Sequence, residues 1–253
     1  MSYVLEAAVG CNTGKIRKNN EDNFFFSGRI LSSMGSGLKN PLTMEEPLKK
    51  EICLAVFDGM GGESFGELAS YAAADTLRKT VPTLRDRLMP KGKYLDALCQ
   101  RLNCEVVAKA RELGTERMGS TLVLLSFRHR SLTVCNLGDS RAYRLRDGAF
   151  LQLTVDHVVK QTGGVRRKMP LTQHLGIDPE ELLLEPYIAE GKLERGDQYL
   201  LSSDGLTDML TDQEISEIMG RAASSEEAVR ELIENALEKG GRDNVTAIVC
   251  RIR

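Results

Sequence analysis

The chain has 253 residues, 42% of them apolar, with 34 Lys and Arg against 36 Asp and Glu for a formal net charge of −2. That length and apolar content suit one domain with a sizeable core, and the near-neutral balance excludes a general electrostatic draw toward nucleic acid or an anionic membrane. The six Cys (11, 53, 99, 104, 135 and 250) show no CxxC pair or regular framework, which argues against a disulfide scaffold and for a reducing compartment.

In chain order, 4–9 reads as a short strand. A polar turn follows, Gly14-Lys-Ile-Arg17-Lys-Asn-Asn-Glu21-Asp22, and then an aromatic strand at 23–26. Such a charged turn is by default a solvated loop; the other reading is part of a site. Residues 31–50 show no period and are expected as a mobile loop joining two strands. The apolar run 52–57 is a buried strand that stops at Asp58-Gly59-Met60-Gly61-Gly62. Helical spacing then places a helix over 65–80, closed by Pro82. A second spans about 93–113, with Leu95, Leu98, Leu102, Val106, Ala110 and Leu113 on one face and Gly114 as its C-cap.

Strands follow at 122–127, 132–137, 142–146 and 150–153. Asp147-Gly148 is a hairpin signal, and Gly138-Asp139-Ser140-Arg141 is a second Gly-Asp junction. Residues 154–181 are irregular and hold His157, His174 and the basic Arg166-Arg167-Lys168. Residues 182–188 look strand-like. A strand at 198–202 ends in Ser203-Asp204-Gly205. Thr211 and Ser224 each open a capping box, the second leading an amphipathic helix stopped by Gly240-Gly241. Arg242-Asp243-Asn244 then enters a last strand, 245–252. Cys53, Cys135 and Cys250 fall inside apolar runs and read as buried. Strands in runs with helices in pairs argue for antiparallel sheets with segregated helices, in one domain over 1–253. The Asn244-Val-Thr246 sequon is coincidental in a cytosolic chain. No apolar run approaches the roughly 20 residues needed to span a bilayer and no leader is evident, so a soluble, cytoplasmic protein without an anchor is expected.

Asp58, Asp204 and Asp243 come from distant segments, yet each stands at a strand end beside glycine. Taken singly, an Asp-Gly of this kind is an ordinary turn; the recurrence is what carries weight. Strand ends on one side of a sandwich gather at one edge, where three carboxylates repel unless a cation lies among them. Oxygen-only ligands select Mg²⁺ or Mn²⁺ over zinc. Gly59 can offer its carbonyl, Glu21 and Asp139 add charge around the site, and Asp208, four residues after Asp204, faces the same way on a short helix. Two such ions lower the pKa of a bridging water and prepare in-line attack on phosphorus. Arg17, four residues before Glu21, fits a bidentate phosphate clamp. No Ser-His-Asp, Cys-His or P-loop arrangement competes.

RKNNED (17–22), VFDGMGG (56–62), GST (119–121), GDSR (138–141), DH (156–157), SDGLTD (203–208) and GRDNVT (241–246) together resemble the metal-dependent serine/threonine protein phosphatases of type 2C, bacterial-type members in particular. The pieces appear in family order over essentially the whole chain. The resemblance implies an α+β fold: a four-layer αββα sandwich of two antiparallel β-sheets flanked by pairs of helices. It implies that Asp58 bridges two metals, Gly59 gives a carbonyl, Asp204 and Asp243 complete the first site, and Glu21 holds a metal through water. Asp139 and Asp208 match positions that help bind a third ion, and Arg17 matches the phosphate-binding Arg. Two departures stand out. Met60 replaces a His proposed as general acid in animal relatives, which leaves the proton donor unassigned, with His157 as a candidate beside its more ordinary structural reading. The flap, about 154–182, is shorter than usual.

The expected function is metal-dependent hydrolysis of phosphoserine and phosphothreonine in proteins, with Mn²⁺ or Mg²⁺ as cofactor and two, by the resemblance up to three, ions. Expected partners are the phosphorylated products of a serine/threonine kinase, with no nucleic acid and no membrane, and the chain is expected to be a monomer. The alternatives are a phosphatase-like binding module without turnover, and a phosphatase acting on a small regulatory domain in a stress or sporulation switch.

Overall fold

The structure, a computed structural model, describes residues 3–60, 65–81, 90–115, 117–159 and 169–253. The strands are β1 (Val4–Asn12), β2 (Asp22–Phe26), β3 (Leu42–Pro47), β4 (Ile52–Met60), β5 (Gly119–Ser120), β6 (Leu122–Arg128), β7 (Ser131–Leu137), β8 (Arg141–Arg146), β9 (Ala149–Gln152), β10 (Tyr187–Lys192), β11 (Gln198–Ser202) and β12 (Val245–Ile252). The helices are α1 (Gly66–Thr80), α2 (Lys91–Leu113), α3 (Asp204–Thr207), α4 (Asp212–Arg221) and α5 (Ser225–Glu238). One sheet runs β3-β1-β12-β11-β8-β9; the other runs β10-β7-β6-β4-β2, with β5 paired to β4. Neighbouring strands are antiparallel.

Two-residue alternation sorts each strand between two cores. On β1, Leu5, Ala7, Val9 and Cys11 enter the core between the sheets, while Ala8 faces the helices. On β12, Ile248, Cys250 and Ile252 point inward and Val245, Ala247 and Val249 outward. Because both faces are covered, these strands read as unbroken apolar runs. Ala69, Ala73 and Leu77 of α1 and Leu98, Leu102 and Val106 of α2 cover Phe57 and Leu124 of the second sheet. Ile215 and Met219 of α4 and Val229 and Leu232 of α5 cover Tyr143 and Leu200 of the first. The result is the four-layer αββα sandwich.

Three expectations need correction. The stretch 31–50 is not all loop, since β3 lies within it and pairs with β1 from Val4↔Pro47 to Val9↔Leu42. It is an edge strand whose Leu42 and Met44 reach the core while Thr43, Glu45, Glu46 and Pro47 are exposed, so its alternation is too short to read. The strand placed at 182–188 starts only at Tyr187, after Pro186. Of its leucines Leu184 alone is buried, whereas Leu182 and Leu183 are exposed beyond a turn closed by Glu181 N–H to the Asp178 carbonyl. The second capping box is half formed. Ser224 Oγ accepts from Glu227 N–H at 3.1 Å, but the Glu227 carboxylate accepts from Ala223 N–H at 2.6 Å instead of from the cap itself. The Thr211 box is complete.

Asp147 and Gly148 both take positive φ, 48° and 79°, as a tight hairpin requires. Gly114 caps α2 in the left-handed region. All six cysteines are free, Cys104 alone being exposed. Among the described residues no helix is long and apolar enough to cross a membrane.

Candidate active site

The register carries distant residues to one end of the sandwich. Asn12 at the end of β1 faces Val245 at the start of β12, and Asp22 at the start of β2 faces Asp58 near the end of β4. Asp58 N–H donates to Thr121 Oγ1 at 2.9 Å and its carbonyl accepts from Thr121 N–H at 2.8 Å. Thr121 Oγ1 meets Ser140 Oγ at 2.7 Å, so Asp139 is tied through its neighbour to the anchor of Asp58.

Two close backbone approaches explain the glycines beside the acids. A Cβ on Gly59 would lie 2.0 Å from the Gly66 carbonyl oxygen and 2.6 Å from that of Glu21. A Cβ on Gly66 would lie 2.7 Å from Cδ of Glu21. The Glu21 carboxylate thus sits against the first turn of α1, where the helix dipole favours negative charge. At the other acid pair, a Cβ on Gly205 would meet the Asn244 carbonyl oxygen at 1.9 Å, beside Cβ of Asp243 at 3.4 Å. That contact brings Asp204, the first residue of α3, alongside Asp243. Asp208 closes α3 with its N–H on the Asp204 carbonyl at 2.7 Å.

Arg17 Nη2 donates to Asp243 Oδ2 at 2.7 Å across 226 residues of sequence. Partial burial works against its charge, but Asp243, Glu21 and Asp58 together hold the guanidinium pKa above its ordinary value. Arg17, Glu21, Asp58 and Asp243 therefore share one electrostatic neighbourhood. Asp22 extends it toward Asp204. Burial pushes its carboxyl up to about 7; the Ser203 and Thr246 hydroxyls, each donating at 2.7 Å, oppose the rise, and the charges of Asp204 and Asp243 add to it. Among the described residues, no group of three or more His, Cys, Asp and Glu side chains is already drawn together as a cage for an ion.

Two positioning residues carry no signal of their own in the sequence. Asn244 Oδ1 accepts from Glu21 N–H at 2.8 Å, while its Nδ2 donates to the carbonyls of Thr13 at 2.8 Å and Asn19 at 2.9 Å. It clamps both ends of the loop that bears Arg17. Asp22 joins β2 to Ser203 and Thr246 of the other sheet; only its place after Glu21 hinted at it. Both belong to short polar strings whose individual duties spacing does not reveal.

The DH pair makes structural contacts. Arg141 grips Asp156 with Nε at 3.0 Å from both oxygens and Nη2 at 2.6 Å from Oδ2. His157 Nδ1 accepts from Gly138 N–H at 3.2 Å, and His157 N–H donates to the Gly138 carbonyl at 3.0 Å. Burial holds this imidazole below its usual pKa despite Gly138 and Asp156. A neutral ring whose Nδ1 accepts a backbone hydrogen bond is a clasp for the Gly138-Asp139 turn. Gly61, Gly62 and Arg166 to Lys168 lie outside the described residues.

Residues 44–246 match the sequence profile of protein phosphatase 2C. The chain belongs to the protein phosphatase 2C family. Serine/threonine protein phosphatase PstP of Mycobacterium tuberculosis is 32% identical over 100% of this chain and 46% of its own length, so the chain spans about half of that relative. Serine/threonine phosphatase stp of Listeria innocua is 29% identical over 97% of this chain and 95% of its own. The crystal structure of the catalytic domain of PstP, solved with two manganese ions, superposes with a TM-score of 0.75 at 30% identity over 99% of each chain. Two antiparallel sheets flanked by helices are thus common to this chain and its relatives.

The residues present fit a pair of hard cations. The donors are all oxygens, with no His or Cys among them, which suits Mg²⁺ or Mn²⁺. Gly59 is held without a side chain at the point where backbone must approach closely. Arg17 sets a positive side chain against these acids.

Proposed function

We propose that this 2C-family chain hydrolyses phosphoserine and phosphothreonine in proteins, using divalent metal ions held by its converged acids. Asp58, the Gly59 carbonyl, Asp204 and Asp243 would hold two ions, with Glu21 reaching one through water and Asp139 and Asp208 serving a third. When bound, such ions supply Lewis acidity and bring the pKa of a coordinated water toward neutrality. The chain's own residues do the rest. Arg17 offers a guanidinium whose planar fork matches a phosphate and orients it. Asn244 fixes the loop carrying that fork. Asp22, between two hydroxyls, ties the sheets together beneath the acids. Thr121 and Ser140 hold Asp58 and Asp139 in fixed relation.

The reading further comprises Mg²⁺ as an alternative to Mn²⁺, a signalling role opposite a serine/threonine kinase in a bacterial cytoplasm, and a monomer. The observation that carries the catalytic part is the Arg17–Asp243 contact, set among Glu21, Asp58 and Asp204 within a family fold whose PstP member was solved with two manganese ions. The test is hydrolysis of p-nitrophenyl phosphate and of a phosphothreonine peptide with Mn²⁺, with chelator, and in Asp58→Asn and Asp204→Asn. Turnover should require metal and fall by at least about a thousandfold in both variants. Activity that survives chelator and either substitution refutes the reading. Metal binding without turnover of either substrate would favour a non-catalytic binding module.

A further inference from the structure

The loop 13–20 is more than a mount for Arg17. Asn244 holds it at Thr13 and Asn19, Lys15 N–H donates to the Gly241 carbonyl at 2.8 Å, and Thr13 Oγ1 donates to the Ser36 carbonyl at 2.7 Å. Gly14 takes φ +82°, and a Cβ there would lie 2.2 Å from the Asp243 carbonyl oxygen. The apex is therefore fixed, unlike an ordinary solvated loop. Arg17, itself partly exposed, reaches Asp243, and Lys15, Ile16 and Lys18 beside it are exposed, Ile16 at 69%. The turn carrying Arg242, also exposed, lies alongside: a Cβ on Gly241 would be 3.3 Å from Cγ of Lys15.

Charge is thus segregated. Glu21, Asp58 and Asp243 surround Arg17 electrostatically, while Lys15 and Lys18 are exposed on the same loop as Arg17 and Arg242 is exposed on the turn that carries Asp243. Long cationic side chains on a loop fixed in this way would face whatever flanks a phosphate held by Arg17. A peptide extends about 3.3 Å per residue, so these cations reach side chains within about three residues of the phosphorylated one.

We propose that Lys15, Lys18 and Arg242 form a specificity lip that selects phosphoprotein segments with acidic side chains beside the phosphoserine or phosphothreonine, with Ile16 giving an apolar contact between the cations. This rests on the phosphatase reading above and deepens it. Charge complementarity and continuity with the Arg17 clamp carry it.

The experiment uses three phosphothreonine peptides of equal length, flanked by Glu, Gln or Lys, with Mn²⁺ and phosphate release as readout. The Glu peptide should exceed the Lys peptide in kcat/KM by about fivefold to tenfold at low salt, and the ratio should shrink toward one at about 0.5 M NaCl. The Lys15→Glu/Lys18→Glu double variant should invert the ratio; because a ratio is read, a general loss of turnover cancels. Labelled copies of the peptides, titrated onto Asp204→Asn by anisotropy, should rank in the same order. Equal rates with equal affinities, or a ratio untouched by the charge reversal, overturns the lip. If p-nitrophenyl phosphate is still hydrolysed then, the lip fails and the phosphatase reading stands. If nothing is hydrolysed while the affinities still rank Glu over Lys, the lip stands and the turnover reading fails.

Discussion

Arg17 has two partners to choose between. It holds Asp243 at 2.7 Å, and its fork is also the proposed seat of the substrate phosphate. Removing it should weaken ground-state phosphate binding more than the chemical step. Arg17→Ala is expected to raise KM for a phosphopeptide by about tenfold with kcat changed by less than threefold, in steady-state assays; a loss confined to kcat would contradict the clamp. Arg146 illustrates a residue of the opposite kind, wholly structural. It grips buried Asp197 through Nε at 2.6 Å and Nη2 at 2.7 Å, while Tyr199 Oη donates to the same carboxylate at 2.7 Å. Burial acts to raise the Asp197 pKa, but Arg146, the Glu194 amide and Tyr199 outweigh it and hold it below its ordinary 3.8. A depressed folded-state pKa means that the stabilisation is complete above about pH 5 and fades as pH falls through 3.8 and below. Arg146→Ala should therefore cost about 2 kcal/mol near pH 7 in urea melts, with the gap from the parent narrowing below about pH 4. A gap that widened in acid would refute this account.

Elements decide how far the chemistry could be read without coordinates. Asp58-Gly59, Asp204-Gly205 and Asp243 after Gly240-Gly241 were legible because acid and glycine beside an apolar run leave a sharp boundary; β11 stops just before Asp204 and β12 starts just after Asn244, whereas β4 runs on through Asp58 and Gly59 to Met60. What spacing could not reveal was who holds the loop between β1 and β2. Asn244 does so through three hydrogen bonds to Glu21, Thr13 and Asn19, and partners more than 220 residues away leave no local periodicity. Asn244→Ala should free that loop, lowering kcat/KM by about tenfold to a hundredfold and stability by about 2 kcal/mol, measured by kinetics and denaturant melts. A purely structural role would lower stability alone. The strand β3 escaped for a different reason: an edge strand buries only Leu42 and Met44, so composition reads as loop. Leu182 and Leu183 misled in the reverse direction, apolar in sequence yet exposed in the structure.

For the whole molecule, the sandwich is a frame that brings two sheets' strand ends to one rim. The four-layer plan followed from strands in runs and helices in pairs together with the ordered family motifs. The inter-sheet ties, above all Ser203 and Thr246 hydroxyls on Asp22, emerged only from three dimensions. Those ties couple the acids to global folding, so ions that bind the folded rim should stabilise the entire domain. At a free Mn²⁺ concentration about a hundred times Kd, linkage adds about 2.7 kcal/mol. For a domain of this size that is a rise of about 5–10 °C in Tm by calorimetry, reversed by chelator. An unchanged Tm would mean that the acids do not act as a metal site.

The most direct measurement is anomalous diffraction at the manganese edge from crystals grown with Mn²⁺, compared with crystals of Asp58→Asn. We predict two peaks among Asp58, Gly59, Asp204 and Asp243 in the parent and none in the variant. Peaks elsewhere, or none beside those carboxylates, would contradict the account.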